Sequence, residues 1–145
     1  ILSAMKMHSS NANVQHYGCA ALCNLAVNDN NKVSIVAAGG ITSILDAMKI
    51  HSSNADVQHY GCAALSNLAV NDYIRVRIAA AGGITAIQAA LKNHSLNAGV
   101  QEKGHKALRN FDCNADNKVV IAKVSGIVAI MLLCKIIHCL YLQET

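Results

Sequence analysis

The sequence predicts an all-α solenoid, a stack of similar helical units, and three observations support this fold class. The stretch from residue 57 to residue 70 occurs almost unchanged 43 residues earlier, with Cys23 in place of Ser66, and returns in weaker form 43 residues later. A pair of glycines recurs at the same period, at residues 39–40 and 82–83. The third observation is a single apolar stripe on the repeated helix, formed by Val57, Gly61, Ala64, Leu65 and Leu68.

Each unit is predicted to contain a short helix, a Gly-Gly break, a medium helix, a polar loop and a long helix. The paired glycines suit a left-handed exit from the short helix. The first, partial unit is predicted to contain a medium helix to His8, a loop at 9–13 and a long helix at about 13–27. The second contains a turn at 28–31, a short helix at 32–38, a medium helix at 41–51 and a long helix to Val70. The third contains a turn at 71–72, a short helix to Ala81, a medium helix at 84–94, a loop at 96–99 and a long helix to about Phe111, and a short helix at 118–124 follows.

The repeat gives about three and a half units with a period of 43 residues, read as one array over residues 1–145. The units cover residues 1–28 (partial), 29–71, 72–114 and 115–145 (partial and divergent), and residues 127–145 depart most from the pattern. Because the chain enters midway through a unit, we interpret it as a fragment or processed piece of a longer protein. Its cut ends are expected to contact neighbouring repeats or subunits.

Composition excludes several classes of function. A formal net charge of +4 is too small to indicate nucleic acid as the main partner. The last apolar segment is short and contains Lys135 and His138, so no membrane span is expected. The sequence has neither a Gly-rich phosphate loop nor a nucleophile with a base at recognisable spacing, which predicts a protein that is not an enzyme and has no cofactor.

Histidines and cysteines recur with the repeat. His8, His51 and His94 end the medium helices one unit apart, too far from one another to share a metal ion, so no metal site is predicted. Cys19 and Cys62 occupy the same repeat position, which places them about 8–10 Å apart. A disulfide requires Cα atoms within about 7 Å, so these thiols are expected to stay reduced, in the cytosol or nucleus.

The combination Gly-Gly-Ile, Val-Gln and Ala-Leu-x-Asn-Leu-Ala resembles the armadillo repeat over essentially the whole chain, nearest to the multi-repeat arrays of plants and protists. This resemblance implies a right-handed superhelix that serves as a protein-interaction scaffold. The sequence departs from the family at Thr42 and Thr85, where a proline is frequent. HEAT repeats are the alternative, but their usual two-helix pattern fits the Gly-Gly break less well.

The resemblance also implies a site. The asparagine of the Leu-x-Asn-Leu motif lines the concave groove of such proteins and holds the backbone of an extended peptide, which points to Asn24, Asn67 and Asn110. The alternative is that each asparagine ties adjacent helices or loops together. Importin-like relatives carry a Trp one turn earlier, where this chain has Ala20, Ala63 and Lys106, so a nuclear-import adaptor is disfavoured.

Other side chains are expected to complete the groove. Tyr17 and Tyr60 lie seven residues before the asparagines and could partly replace the missing tryptophans. Lys103, Lys106 and Arg109 make the third copy basic, which predicts a partner that is acidic or phosphorylated near that end. The competing interpretations are a solvated charge cluster and a structural subunit that makes its contacts through its ends or outer ridges.

A glycine inside the long helix recurs as Gly18, Gly61 and Gly104. Glycine costs roughly 1 kcal/mol relative to Ala in a helix interior. Its recurrence at one phase therefore predicts a close backbone approach between helices.

Overall fold

The computed structural model describes residues 1–112, and this part of the chain consists of α-helices and short connections without a strand. Residues 1–111 form one compact unit. The helices are α1 (Leu2–Met7), α2 (Ala12–Leu25), α3 (Asp29–Ala37), α4 (Gly40–Ile50), α5 (Ala55–Leu68), α6 (Asp72–Ala80), α7 (Gly83–Asn93) and α8 (Ala98–Asp112). The predicted order of short, medium and long helices is therefore confirmed twice, as α3–α4–α5 and α6–α7–α8.

The Gly-Gly break separates the short and medium helices as predicted. Gly39 and Gly82 have φ angles of 85° and 86°, in the left-handed region where other residues are strained. The second glycine has a different role, because a Cβ at Gly40 would lie 2.8 Å from the carbonyl oxygen of Ile35. The chain turns sharply at this point, with angles of 73° between α3 and α4 and 71° between α6 and α7.

The predicted turns at 28–31 and 71–72 are wrong, because their asparagines are helix N-caps. The Asn28 side chain accepts hydrogen bonds from the backbone N–H groups of Asn30 and Asn31, so α3 already begins at Asp29. Asn71 caps α6 in the same way. A turn-like composition thus marks the start of a helix here, since a capping carboxamide satisfies the first free N–H groups.

The same correction applies to the loops before the long helices. Asn11 and Asn54 cap α2 and α5, and Asn97 accepts from the N–H of Val100 at 3.0 Å at the start of α8. The long helices consequently begin one or two residues earlier than predicted. They also end earlier, at Leu25 and Leu68.

The apolar stripe of α5 is buried as predicted, from Val57 through Leu65 to Leu68, each with no exposed surface. α5 packs along α2 and also contacts α4, α6 and α7. Cys62 and Ser66 are buried as well, so α5 is covered on most sides rather than on one stripe. The neighbouring units, and not the helix's own amphipathicity, decide this burial.

A glutamine joins the medium helix to the long helix in each of the three described units, and it is buried in the first two and half-buried in the third. The Nε2 atom of Gln58 donates to the carbonyl oxygens of Met48 at 2.8 Å and His51 at 3.0 Å. Gln15 and Gln101 make the equivalent pairs of bonds in the other two units. Carbonyls in the last turn of a helix lack intrahelical donors, so the glutamine of the Val-Gln motif supplies a donor to Met48, whereas the His51 carbonyl also accepts from the backbone N–H of Asn54 at 3.0 Å.

The histidines that end the medium helices connect successive units. His51 Nε2 lies 2.7 Å from the carbonyl oxygen of Ser9, and His94 Nε2 lies 2.8 Å from that of Ser52. Both pairs span 42 residues. The prediction that these histidines are helix-end residues is confirmed by their C-cap positions. Their bridging role is not visible from sequence.

The recurring glycines of the long helices accommodate a side chain, which corrects the expected backbone-to-backbone contact. A Cβ at Gly61 would lie 2.6 Å from Cγ of Met48, and one at Gly18 would lie 2.6 Å from Cγ of Met5. In the third unit the side chain that fills this space belongs to Leu91. The glycine is therefore a packing residue, but its partner is the medium helix of its own unit.

Within residues 1–112, no single helix has the length and apolar content to cross a membrane, and the bent pairs α3–α4 and α6–α7 reach those limits only when joined. The predicted short helix at 118–124, the fourth unit and the divergent segment 127–145 lie outside the described residues. Handedness and the continuation of the array through residue 145 stay predictions.

The Gly61–Met48 contact yields a stability prediction. Gly61→Leu should lower the free energy of unfolding by about 1–3 kcal/mol, because the new side chain overlaps Met48 in a packed interior. In the double variant Met48→Ala with Gly61→Leu, the loss should be smaller than the sum of the two single losses. Chemical denaturation measures all three, and strictly additive losses would contradict this contact.

Candidate functional site

The sequence-predicted site residues lie on the three long helices, α2, α5 and α8. We refer to the surface that these residues form as the long-helix face. α2 and α5 pack along each other. Two hydrogen bonds link α5 to α2 and α8 to α5, so the face continues from one unit to the next.

The asparagines tie successive long helices together. Asn67 Nδ2 donates to the carbonyl oxygen of Cys23 at 3.0 Å, and Asn110 Nδ2 donates to that of Ser66 at 2.8 Å. The same nitrogens approach the Cys23 Sγ at 3.4 Å and the Ser66 Oγ at 3.2 Å. These bonds tie adjacent helices together, which is the alternative to peptide binding that the sequence left open. A carboxamide also has an acceptor oxygen, and no hydrogen bond between described residues uses the Oδ1 of Asn67 or Asn110.

Asn24 differs from the other two. Its side chain is exposed and makes no hydrogen bond to another residue of the described range 1–112. Both the donor and the acceptor of its carboxamide therefore face solvent, whereas Asn67 and Asn110 are half-buried. The three equivalent positions are not chemically equivalent in the folded chain.

Tyr17 and Tyr60 are brought together by a residue that the sequence reasoning missed. The His16 ring stacks on Tyr17 with centroids 4.5 Å apart and on Tyr60 with centroids 5.0 Å apart. The rings of His59 and Tyr60 are nearly perpendicular, with centroids 4.8 Å apart. The sequence carried a signal for this cluster, since a His-Tyr pair recurs at the same repeat position. Tyr17 remains 68% exposed, so its ring is available at the surface.

The three basic residues of α8 differ in exposure, and Lys103 is paired with an acidic neighbour. Lys103 Nζ lies 2.7 Å from the Glu102 carboxylate, and its side chain is 29% exposed. The hydrogen bond from Lys103, followed by its charge, holds the pKa of Glu102 below its usual value. Lys106 and Arg109 are exposed. Part of the expected positive charge is thus neutralised within α8 itself.

The lysines of α8 also act on the first long helix. Burial raises the pKa of the half-buried Cys23 thiol, and the positive charges of Lys103 and Lys106 oppose that rise. The positive charge of the third unit therefore extends to Cys23 in the first unit.

The other two described cysteines have unreactive thiols because of their buried environment. Burial raises the pKa values of Cys19 and Cys62 to about 12, and both thiols are free. Among residues 1–112, no cluster of three or more His, Cys, Asp or Glu side chains has the geometry to hold a metal ion. The chemistry that the long-helix face offers is aromatic stacking, hydrogen bonding and positive charge.

Comparison with known proteins places the chain in a family. A family model described as the LRRK2 ARM repeat matches residues 1–139. The chain is also 65% identical over 34 residues to vacuolar protein 8 of Komagataella pastoris, a match that covers 23% of this chain and 6% of that protein. No solved structure matches the chain.

The asparagine bonds yield a stability prediction. Asn67→Ala should lower the free energy of unfolding by about 1–2 kcal/mol, because the substitution removes the bond to Cys23 and leaves a carbonyl without its donor. Asn24→Ala is the matched control and should change it by less than about 0.5 kcal/mol. Denaturant titration of both variants measures the difference, and equal losses would argue against an inter-helix role.

A second prediction concerns thiol reactivity. In the folded chain, iodoacetamide at pH 8 should modify Cys23 well before Cys19 and Cys62, because the thiolate is the nucleophile and the two buried thiols have strongly raised pKa values. Lys103→Glu with Lys106→Glu should slow the reaction of Cys23 by raising its pKa further. Peptide mapping by mass spectrometry measures each site. Equal labelling of Cys19 and Cys23 would contradict the prediction.

Proposed function

Because the chain belongs to the armadillo-repeat family, we propose that it is a non-enzymatic protein-interaction scaffold whose long-helix face binds an extended peptide segment of a partner. Armadillo-repeat membership supports the coarser part of this proposal, a solenoid that contacts other proteins. Aromatic, hydrogen-bonding and basic side chains on the long-helix face support the finer part, an extended peptide bound along that face.

The exposed aromatic stack carries the proposal. His16, Tyr17 and Tyr60 form a continuous ring surface across two units, and the outermost ring is 68% exposed. Tyrosine is enriched among the residues that dominate binding energy at protein interfaces, because it combines a large apolar surface with a polar tip. A stack that spans a unit boundary suits a ligand that crosses the units rather than one held by a single helix.

The asparagines supply complementary hydrogen bonds. The Oδ1 atoms of Asn67 and Asn110 are the acceptors left over from the inter-helix bonds and would accept from backbone N–H groups of the peptide. Asn24 would both donate and accept. Stacked helices are about 8–10 Å apart and an extended chain advances about 3.3 Å per residue, so successive asparagines would meet backbone groups about two to three residues apart.

The lysines of α8 set the expected chemistry of one end of the peptide. Lys106 and Arg109 are exposed, and Lys103 is only partly neutralised by Glu102. The segment near Asn110 is therefore proposed to be acidic or phosphorylated. The cytosol or the nucleus is proposed as the compartment, on the argument from cysteine spacing.

The residues of the long-helix face disfavour a function as an importin-like transport adaptor. Ala20 and Ala63 stand where aromatic residues would form slots for lysine side chains, and Ala63 is only 7% exposed. Lys106 at the third position would repel a basic transport signal. An acidic or neutral ligand fits this face better.

A second candidate function is a structural subunit that makes contacts through its outer ridges. Val33 on α3 and Val76 on α6 occupy the same repeat position and are 61% and 51% exposed. Tyr73 on α6 is 70% exposed and lies beneath the guanidinium of Arg77. This ridge belongs to the short helices, so it can be tested separately from the long-helix face.

The experiment is a selection of displayed linear peptides against the full chain, followed by affinity measurement of the best peptide with variants. Tyr17→Ala with Tyr60→Ala should weaken binding about tenfold or more. Lys103→Glu with Lys106→Glu should weaken it and flatten its salt dependence, whereas Asn67→Ala should weaken it with little effect of salt.

Two control variants complete this test. Val33→Ser with Val76→Ser alters the short-helix ridge, and Lys6→Glu with Lys49→Glu reverses charge on the medium helices. The valine variant should leave the affinity unchanged, and Lys6→Glu with Lys49→Glu should weaken the peptide less than Lys103→Glu with Lys106→Glu does. Unchanged affinity of the peptide in all long-helix variants would show that it does not bind this face. Loss of binding in Val33→Ser with Val76→Ser would favour the structural-subunit alternative.

A further inference from the structure

Two equivalent cavities lie between successive medium helices. The first, of about 590 Å³, is lined by residues of α1 and α4, and the second, of about 610 Å³, by residues of α4 and α7. Every residue that lines the first cavity has its counterpart 43 positions later among those that line the second. We refer to the two together as the medium-helix groove. Its recurrence means that a ligand can meet the same surface twice, one unit apart.

The groove has an apolar floor and an open rim. Met5 and Ala47 line the first cavity, and Met48 and Ala90 stand at the equivalent positions of the second. These side chains are almost completely buried, so most of the accessible apolar surface comes from other lining residues, among them the half-buried Leu2 in the first cavity and Leu45 in the second. At the rim, a Cβ placed on Gly39 or Gly82 would meet no atom within 4 Å. A partner chain can therefore come close to the backbone at both rims.

A row of lysines runs along the groove. Lys6 lines the first cavity and Lys49 the second, and Lys92 occupies the same position on α7. All three are exposed, and none takes part in an ion pair between described residues. Each lies in the last turn of its helix, where a cation is favoured by the helix dipole. Asp46 lines both cavities and offsets one of the two lysines that line them, which leaves the groove with a net positive charge.

We propose that the medium-helix groove binds an acidic segment of a partner protein in the polyproline II conformation, with a glutamate at every third position. Polyproline II has three residues per turn and advances about 3.1 Å per residue, so residues i and i+3 point the same way about 9 Å apart. That distance matches the spacing of about 8–10 Å between stacked helices.

The choice of conformation and of residue follows from the same geometry. In a β-strand, successive side chains alternate between faces, so residues i and i+3 would point in opposite directions and could not enter both cavities. Glutamate places two methylene groups over the apolar floor while its carboxylate reaches a lysine at the rim. This site lies on different helices from the long-helix face and does not depend on the function proposed for that face.

The test uses two fluorescein-labelled peptides of identical composition, built on alanine and proline. One carries glutamate at positions i, i+3 and i+6, and the other carries the same three glutamates in one block. Fluorescence anisotropy with the full chain should show the spaced peptide binding at least about fivefold more tightly than the block peptide. Its affinity should fall as salt increases. Equal binding of the two peptides would show unspecific charge attraction and overturn the proposal.

Variants locate the site. Lys6→Glu with Lys49→Glu should reduce binding of the spaced peptide about tenfold or more, and the milder Lys6→Gln with Lys49→Gln should reduce it in the same direction. Ala89→Leu, on the exposed side of α7 in the second cavity, should reduce it by filling the groove. Ala80→Leu, on exposed α6 surface, is the matched control and should have no effect.

A final comparison separates this groove from the long-helix face. Lys103→Glu with Lys106→Glu removes the same number of positive charges from α8 and should weaken the spaced peptide much less than Lys6→Glu with Lys49→Glu does. If that variant abolishes binding while Lys6→Glu with Lys49→Glu does not, the acidic segment binds the long-helix face and the medium-helix groove is not its site.

Discussion

The structure depends on the coverage of each unit's apolar face by the unit before it. The helices α4 and α5 pack against α1 and α2 of the preceding unit, and Ile44, Val57 and Leu65 have no exposed surface. A solenoid has no central core, and its apolar burial is a sum of such interfaces. Helix formation in each unit is therefore stabilised by tertiary contact more than by local propensity.

Polar side chains set the register of this stack. His51 and His94 reach back 42 residues to a loop carbonyl, and Asn67 and Asn110 reach back 44 residues to a carbonyl of the preceding long helix. Apolar contact alone is not directional and would tolerate sliding, whereas hydrogen bonds weaken steeply with distance and angle. Two such bonds at each interface, one just before the start of the long helix and one near its end, hold successive units in one orientation. The surfaces built on them consequently recur at a constant spacing.

This constant spacing allows one stack to present two different faces. The long helices contribute tyrosine, histidine and asparagine, and the medium helices contribute lysine above an apolar floor. Both faces repeat at the distance between stacked helices, which an extended or polyproline chain matches about every third residue. The two differ in chemistry because they come from different helices of the same unit. Within the long-helix face, Lys103 and Lys106 act from the third unit on Cys23 in the first, where their charges oppose the rise of its pKa.

The sequence by itself determined the repeat period, the order of helices, the left-handed glycine and the apolar stripe, because each of these is a local or periodic property of the chain. It also carried the family resemblance that the match over residues 1–139 confirms. Only the tertiary structure decided that Asn28 caps a helix rather than forming a turn, that Met48 fills the space left by Gly61, and that His16 joins Tyr17 to Tyr60. The tertiary structure also decided the inter-unit bonds of the asparagines and the paired cavities. Except for the cap, these features arise between side chains on different helices or different units, and no pattern within one unit specifies which atoms will meet there.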